Sequence, residues 1–216
     1  MKLFIYDHCP YCVKARMIFG FKKIPVEEVV LLNDDEDTPK KMIGKKMVPI
    51  LQKEDGSYMS ESLDIISYID NYHNTPILDS DTVNMDLSSW LVEVKDIIYA
   101  LCMPRWIKAP LAEFASDTAI RYFINKKEAY IGNFTEHMQN SKVYMVKITE
   151  ELTKLAQILH SENSVNKILS LDDIHLFAVL RGLSIVKGIE YPDIVNSYRY
   201  NMAKKSNVPL YEDISI

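Results

Sequence analysis

The sequence predicts two domains of different kinds, a mixed α/β domain followed by an all-helical one. Over the first seventy-odd residues, short apolar runs alternate with helical stripes, the order expected of a mixed α/β sheet protein. From about Thr75 the texture changes and strand signals nearly vanish. Further on, Ile174 to Val186 is apolar on almost every side, as a helix at the centre of an all-α domain is. The expected division is residues 1–74, a linker over 75–84 and a helical domain over 85–216, within the range that 216 residues allow.

The elements follow in order. Leu3-Phe4-Ile5-Tyr6 is a first strand, and Cys9-Pro10-Tyr11-Cys12 follows directly. Val13, Met17, Ile18 and Phe21 then keep helical spacing from Cys12 to about Phe21. Pro10 suits a first helical turn, where its missing N–H costs nothing. Val26 to Leu32 is β-rich after the Ile24-Pro25 breaker, Asn33 to Thr38 is a polar loop, and Pro39 to Ile43 is a short helix. Val48-Pro49-Ile50-Leu51 opens a buried strand. Asp55-Gly56 signals a hairpin with Tyr58-Met59 returning. Ser60 or Ser62 caps a third helix, with Leu63, Ile66 and Ile69 on one face. The order is β-α-β-α-β-β-α, with parallel and antiparallel pairing in one sheet. Beyond the linker-like stretch Pro76 to Thr82, Leu87, Trp90, Leu91, Val94, Ile97, Ile98 and Leu101 trace a helical stripe up to Pro104. Met145, Ile148, Leu152, Leu155 and Leu159 trace another. Ser170 and Asp173 make a capping box before Ile174, with Leu169 and Ile174 as a hydrophobic staple.

Composition narrows the function. A hydrophobic content of 48% and a charged content of 25% describe an ordinary globular chain. A formal charge of -5 without any Lys/Arg cluster argues against a nucleic-acid partner. No apolar stretch approaches the roughly 18 residues of a membrane span, and Asp7 ends the first apolar run too early for a signal peptide. Three cysteines, an odd number, suit a reducing compartment. A cytoplasmic protein that binds neither membrane nor nucleic acid is expected.

The chemistry points to Cys9 and Cys12. Two thiols three positions apart at a strand end and a helix start form a redox pair, because the helix N-terminus favours a thiolate. A zinc site wants four ligands, and the only other cysteine, Cys102, stands alone and reads as a core thiol. A structural disulfide closing so small a loop constrains the unfolded chain little. Cys9, at the exposed helix tip, is the expected nucleophile, and Cys12, one turn in, the resolving thiol. His8, Lys14 and Arg16 bring positive charge nearby but read as surface residues. Tyr6, Phe19, Trp90 and Trp106 read as packing residues.

Taken together, Cys9-Pro10-Tyr11-Cys12 after the first strand, Val48-Pro49 before the third and Glu61-Ser62 at the third helix resemble a glutaredoxin. The helical half, with its Ser170/Asp173 box, resembles the C-terminal domain of glutathione transferases. The combination is similar to the large bacterial glutaredoxins built on a transferase plan. The segments YDHCPYCVKARMIF, VPILQK and YMSESLDI carry the likeness, as do Lys126-Lys127-Glu128-Ala129, Gly132-Asn133-Phe134 and Asn201-Met202-Ala203-Lys204. Most small glutaredoxins have a Gly-rich turn with Asp where this chain has Glu61-Ser62.

The resemblance implies a thioredoxin-like domain and a glutathione-dependent thiol–disulfide oxidoreductase. Glutathione would be the reductant, disulfide-bonded or glutathionylated proteins the substrates, and no metal is expected. It implies a cis Pro49, Val48 backbone groups pairing with the cysteinyl part of glutathione, and Glu61 and Ser62 holding its γ-glutamyl end. Pro10 and Tyr11 line or cover the same groove. The resembled type is a monomer, although transferase-like chains often dimerise. Two other readings stay open at this point: a glutathione transferase, and a module binding glutathione or an iron–sulfur cluster between subunits.

Overall fold

The structure is a computed structural model that describes residues 1–79 and 81–216. Its contacts divide the chain into two compact units. The first comprises Met1–Ile77, Pro110–Asn125 and Ser206–Val208, and the second Leu78–Ala109, Lys126–Lys205 and Pro209–Ile216. Residues 110–125, which the sequence assigns to the helical half, thus pack with the first unit.

The first unit is built on a four-stranded sheet of order β2-β1-β3-β4, with β1 at Lys2–Ile5, β2 at Glu27–Val30, β3 at Ile50–Gln52 and β4 at Tyr58–Ser60. Strand β2 runs parallel to β1, β3 antiparallel to β1, and β4 antiparallel to β3. The parallel crossover is made by helix α1, Pro10–Lys22, which packs beside α3, Ser62–Asp70. Leu3, Ile5, Met17, Ile18, Ile50, Leu51, Ile65, Ile66 and Ile69 fill the core. Helix α2, Asp37–Ile43, begins before Pro39, leaving that proline in its first turn, where its ring is tolerated.

Two local expectations change. Neither Ser60 nor Ser62 caps α3 through its side chain: the cap position is Glu61, whose φ of 70° lies in the left-handed region. Leu63 is exposed while Ile65 is buried, so the apolar stripe of α3 is rotated from the expected one.

The segment 110–125 is tied into the first unit by specific bonds. The Asn33 N–H donates to the Glu113 carbonyl at 2.9 Å. The Tyr122 hydroxyl donates to Glu36 Oε1 at 2.6 Å, and Lys46 Nζ lies 3.6 Å from the centre of the Tyr122 ring.

The second unit is helical. Its long helix α4, Met85–Trp106, lies against α6, Phe134–Gln139, α7, Ser141–Ile158, and α8, Leu171–Leu183. Helix α5, Asp117–Ile131, belongs in part to each unit, and α9, Asp193–Ser206, precedes the last short turn. Helix α4 does not stop at Pro104 but runs two residues further, with Arg105 Nη1 donating to the Leu101 carbonyl at 2.7 Å. Helix α8 has Ile174, Leu176, Phe177, Leu180 and Leu183 fully buried. The expected capping box is present at its start. Asp173 Oδ2 accepts the Ser170 N–H at 2.9 Å, and Oδ1 accepts the Val165 N–H at 2.7 Å and the Tyr198 hydroxyl at 3.1 Å. Within the stretch read as a linker, Ser80 lies outside the described residues. The Ile77 N–H donates to Asp70 Oδ1 at 2.9 Å and the Asp79 N–H to the Leu169 carbonyl at 2.9 Å. Both ends of that stretch are therefore held by their own unit.

Gly20 gives the sharpest packing constraint. A Cβ added there would lie 1.6 Å from the carbonyl oxygen of Ser206, a backbone atom that cannot swing aside. Gly20→Ala is therefore expected to lower stability by about 3 kcal/mol or more, read as a fall in the urea midpoint. A midpoint within error of the parent protein's would contradict this packing.

Candidate active site

Three segments reach one edge of the sheet. Phe4 pairs with Ile50 and Ile50 with Ser60. Because these pairs are antiparallel, the exit of β1, the start of β3 and the exit of β4 share one end. At that end the chain continues into Cys9, arrives through Val48-Pro49, and leaves through Glu61-Ser62. Motifs spread over residues 9–62 are brought to one end of the sheet by that register.

Cys9 stands at the N-cap of α1 with extended backbone, φ -71° and ψ 119°, and Pro10 follows in the first turn. A turn closes behind it, its N–H donating to the Tyr6 carbonyl at 3.2 Å. Cys9 and Cys12 are free thiols, Cys9 half-buried and Cys12 fully buried. The two environments drive the thiols apart. A hydrogen bond from the Cys12 thiol lowers Cys9 from 9.0 to about 7; burial opposes it, and the His8 charge and the N–H groups of Cys12 and Tyr11 add to it. Burial first, and then its bond to Cys9, push Cys12 well above the usual thiol range. The first thiol ionises and the second stays protonated to stabilise it.

The neighbours complete the site. Tyr11 is 55% exposed, with Lys14 Nζ 5.2 Å from its ring centre. The Val48–Pro49 bond is cis, and Val48 is buried. Ser62 is buried in the first turn of α3, while Glu61 is exposed and 3.1 Å from Lys45 Nζ. Cys102 is buried in the second unit, and burial pushes it up to about 12. Among the described residues, no group of three or more His, Cys, Asp or Glu side chains is placed to hold a metal ion.

Two residues read as surface are not. Arg16 is buried, with Nη1 2.7 Å from Asp7 Oδ1 and Nε 2.8 Å from Glu28 Oε1. His8 is buried, with Nδ1 2.7 Å from Glu113 Oε1. Its carboxylate partners explain how the Arg16 charge tolerates burial, and Glu113 satisfies the buried His8 ring. Glu28 and Glu113 are the signals that the sequence carried, but nothing in their spacing links them to Arg16 and His8. Tyr6, read as packing, has a buried hydroxyl whose ionisation is suppressed by burial and then by both thiols.

A paired thiol at a helix N-terminus on this mixed four-stranded sheet defines a thioredoxin-like thiol–disulfide oxidoreductase. The glutathione S-transferase N-terminal domain model matches residues 3–77, and the model for the C-terminal domain of glutaredoxin 2 matches residues 86–215. Glutaredoxin 2 of Escherichia coli strain K12 is 46% identical over 216 residues, covering 100% of each chain. The crystal structure of glutaredoxin 2 from Salmonella typhimurium in complex with glutathione superposes with a TM-score of 0.97 at 49% identity, covering 100% of this chain and 98% of that one. A glutathione S-transferase from Rhodospirillum rubrum shares the fold alone, with a TM-score of 0.61 at 12% identity, 94% of this chain and 86% of that one being covered. The chain belongs to the glutaredoxin 2 family. It has a transferase-like thioredoxin-fold domain followed by a helical one, and is a glutathione-disulfide oxidoreductase.

The Cys9 environment has a consequence for stability. Folding favours its thiolate, moving its ionisation down from 9.0 to about 7, so the stabilisation it contributes is fully present above about pH 9 and is lost as pH falls through about 7. Cys12, shifted the other way, acts only above that window. The reduced protein should therefore gain up to roughly 2 kcal/mol between about pH 7 and about pH 9. Denaturant titrations at the two ends should show the gain in the parent protein and its absence in Cys9→Ser. An equal pH slope in both proteins would contradict the assignment.

Proposed function

We propose that Cys9 is the nucleophile of this glutathione-dependent thiol–disulfide oxidoreductase and Cys12 its resolving thiol. The observation that carries this is the asymmetry of the pair: Cys9 is half-buried at the N-cap of α1 and Cys12 is fully buried one turn in, an arrangement that favours the thiolate of the first and the thiol of the second. Near pH 7 about half of such a Cys9 is thiolate, against about 3% for a free thiol of pKa ~8.5. Its intrinsic nucleophilicity falls with its pKa, so the attack rate changes little. The larger effect is on Cys9 as a leaving group.

Two cycles follow. With a glutathionylated protein, the Cys9 thiolate attacks the glutathione sulfur and the protein thiolate leaves. A glutathione thiolate then attacks the Cys9–glutathione disulfide, releasing glutathione disulfide and restoring the Cys9 thiolate. With a protein disulfide, Cys9 attacks one sulfur and frees the other as a thiol. Cys12, deprotonated, then attacks the Cys9 sulfur of the mixed disulfide and expels the second protein thiolate. The Cys9–Cys12 disulfide so formed is returned to the dithiol by two glutathione molecules, which leave as glutathione disulfide. Each cycle moves two electrons.

For glutathione itself, Val48 main-chain groups are proposed to pair with the cysteinyl unit as an added strand does. Glu61 and Ser62 are proposed to hold the α-ammonium and α-carboxylate of the γ-glutamyl unit. Pro10 and Tyr11 bound the groove near the sulfur. These positions are supported by the shared sheet edge and by the glutathione carried by the Salmonella relative. Along the sequence the thioredoxin-like domain is proposed at residues 1–74 and the helical domain at 85–216, beside family matches at 3–77 and 86–215, with residues 110–125 and 206–208 packing with the first unit. Disulfide-bonded or glutathionylated proteins as targets, a monomeric state and a cytoplasmic location complete the proposal. Among the described residues no helix is long and apolar enough to cross a membrane.

The test uses Cys12→Ser treated with glutathione disulfide and followed by intact mass and peptide mapping. A single glutathione on Cys9, released by added glutathione, is expected. An adduct confined to Cys102, or none, would refute the nucleophile. Turnover of a protein disulfide that is unchanged in Cys12→Ser would refute Cys12 as the resolving thiol and leave that step to glutathione.

A further inference from the structure

Glu113 is 105 positions from His8 in the chain, yet the two belong to the same compact unit. Glu113 sits in a short 3-10 turn, Ala112–Phe114, whose position is fixed by the Asn33 N–H on the Glu113 carbonyl at 2.9 Å. Its side chain is fully buried. Its Oε1 atom accepts the His8 main-chain N–H at 2.8 Å and faces His8 Nδ1 at 2.7 Å. Since Oε1 already accepts the main-chain N–H, it is the acceptor for the ring as well, and Nδ1 carries the proton. The ring is clamped on its faces by Tyr6 at 5.8 Å and Phe114 at 5.0 Å, with Phe123 edge-on at 5.2 Å.

A buried carboxylate is costly unless it is paired with charge. A structural role alone would be met by any hydrogen-bonded polar pair. Here the partner is the residue directly before the reactive thiol, and its charge is among the influences that favour the Cys9 thiolate. We infer that Glu113 is a positioning residue for Cys9: its carboxylate, bonded to both the main-chain N–H and the ring of His8, fixes the residue directly before the thiol and through it the reactivity of Cys9. Among the groups that face the His8 ring are Glu113 and Tyr6, with Phe114 and Phe123 adding no charge. Cys12, His8, Lys14 and Tyr6 each interact electrostatically with Cys9.

This inference rests on Cys9 being the reactive thiol, and the experiment separates the two claims. The full reduced chain is titrated by its ultraviolet thiolate absorbance, with alkylation and peptide mapping to assign the thiol. Glu113→Gln keeps an oxygen to accept both N–H groups but removes the charge. His8→Phe keeps the aromatic stack and removes the ring charge. Each is expected to raise the Cys9 midpoint by about half to one pH unit, cutting the thiolate present at about pH 6 roughly three- to tenfold. The double variant is expected to add nothing further, because both changes remove one influence. An unchanged midpoint in either single variant, or full additivity in the double, would overturn the role of Glu113. If the parent protein does not alkylate at Cys9 ahead of Cys12, the assignment of the nucleophile fails instead.

Discussion

With Phe4 opposite Ile50 and Ile50 opposite Ser60, the antiparallel register of β1, β3 and β4 decides where everything chemical in this protein ends up. A slip of one residue would turn Leu3, Ile5, Ile50 and Leu51 from one face to the other. Several of these residues are wholly buried, so the core enforces the register. The same register carries the thiol pair, the Val48-Pro49 bond and the Glu61-Ser62 pair to one edge. Packing energy is thus spent once and positions three separate segments.

The second constraint is electrostatic and lies within a single helical turn. Two identical side chains behave differently because one is half-buried at the helix tip and the other is fully buried one turn in. Burial alone would raise both. The helix-start N–H groups and the Cys12 thiol converge on Cys9, whereas for Cys12 burial outweighs the Tyr6 main-chain bond and the Arg16 charge. The side chains that border this turn are themselves buried and paired: Arg16 with Asp7 and Glu28, His8 with Glu113. The Arg16 ion pairs place positive charge near the thiols without leaving it mobile in solvent.

Much of this was legible from residue order because it is local. The thiol pair, the proline in the first turn, the hairpin at Asp55-Gly56 and the Ser170/Asp173 box are each written within a few residues. The glutaredoxin-like set of motifs was legible as well, since each motif keeps its place relative to a strand. What escaped was long-range or conformational. His8 and Arg16 look like surface cations until their carboxylates are brought up from Glu113 and Glu28. The left-handed backbone of Glu61 replaces a Ser cap, and a short stripe such as Leu63, Ile66 and Ile69 is too brief to fix which side of α3 is buried. Nothing local says that residues 110–125 leave the helical unit to pack with the sheet.

The contact between Gly20 and Ser206 bears on how the molecule is made. The thiol-bearing unit draws on three stretches of chain, and the last, Ser206–Val208, is synthesised long after the sheet. A ribosome that has released β1 through α3 has released an incomplete unit, with the face of α1 at Gly20 uncovered and Glu113 still to come. Its two cysteines would emerge first and wait for their surroundings. The thiol-bearing unit is therefore completed only by segments made well after its sheet, and a fragment cut after residue 77 is a different object from that unit.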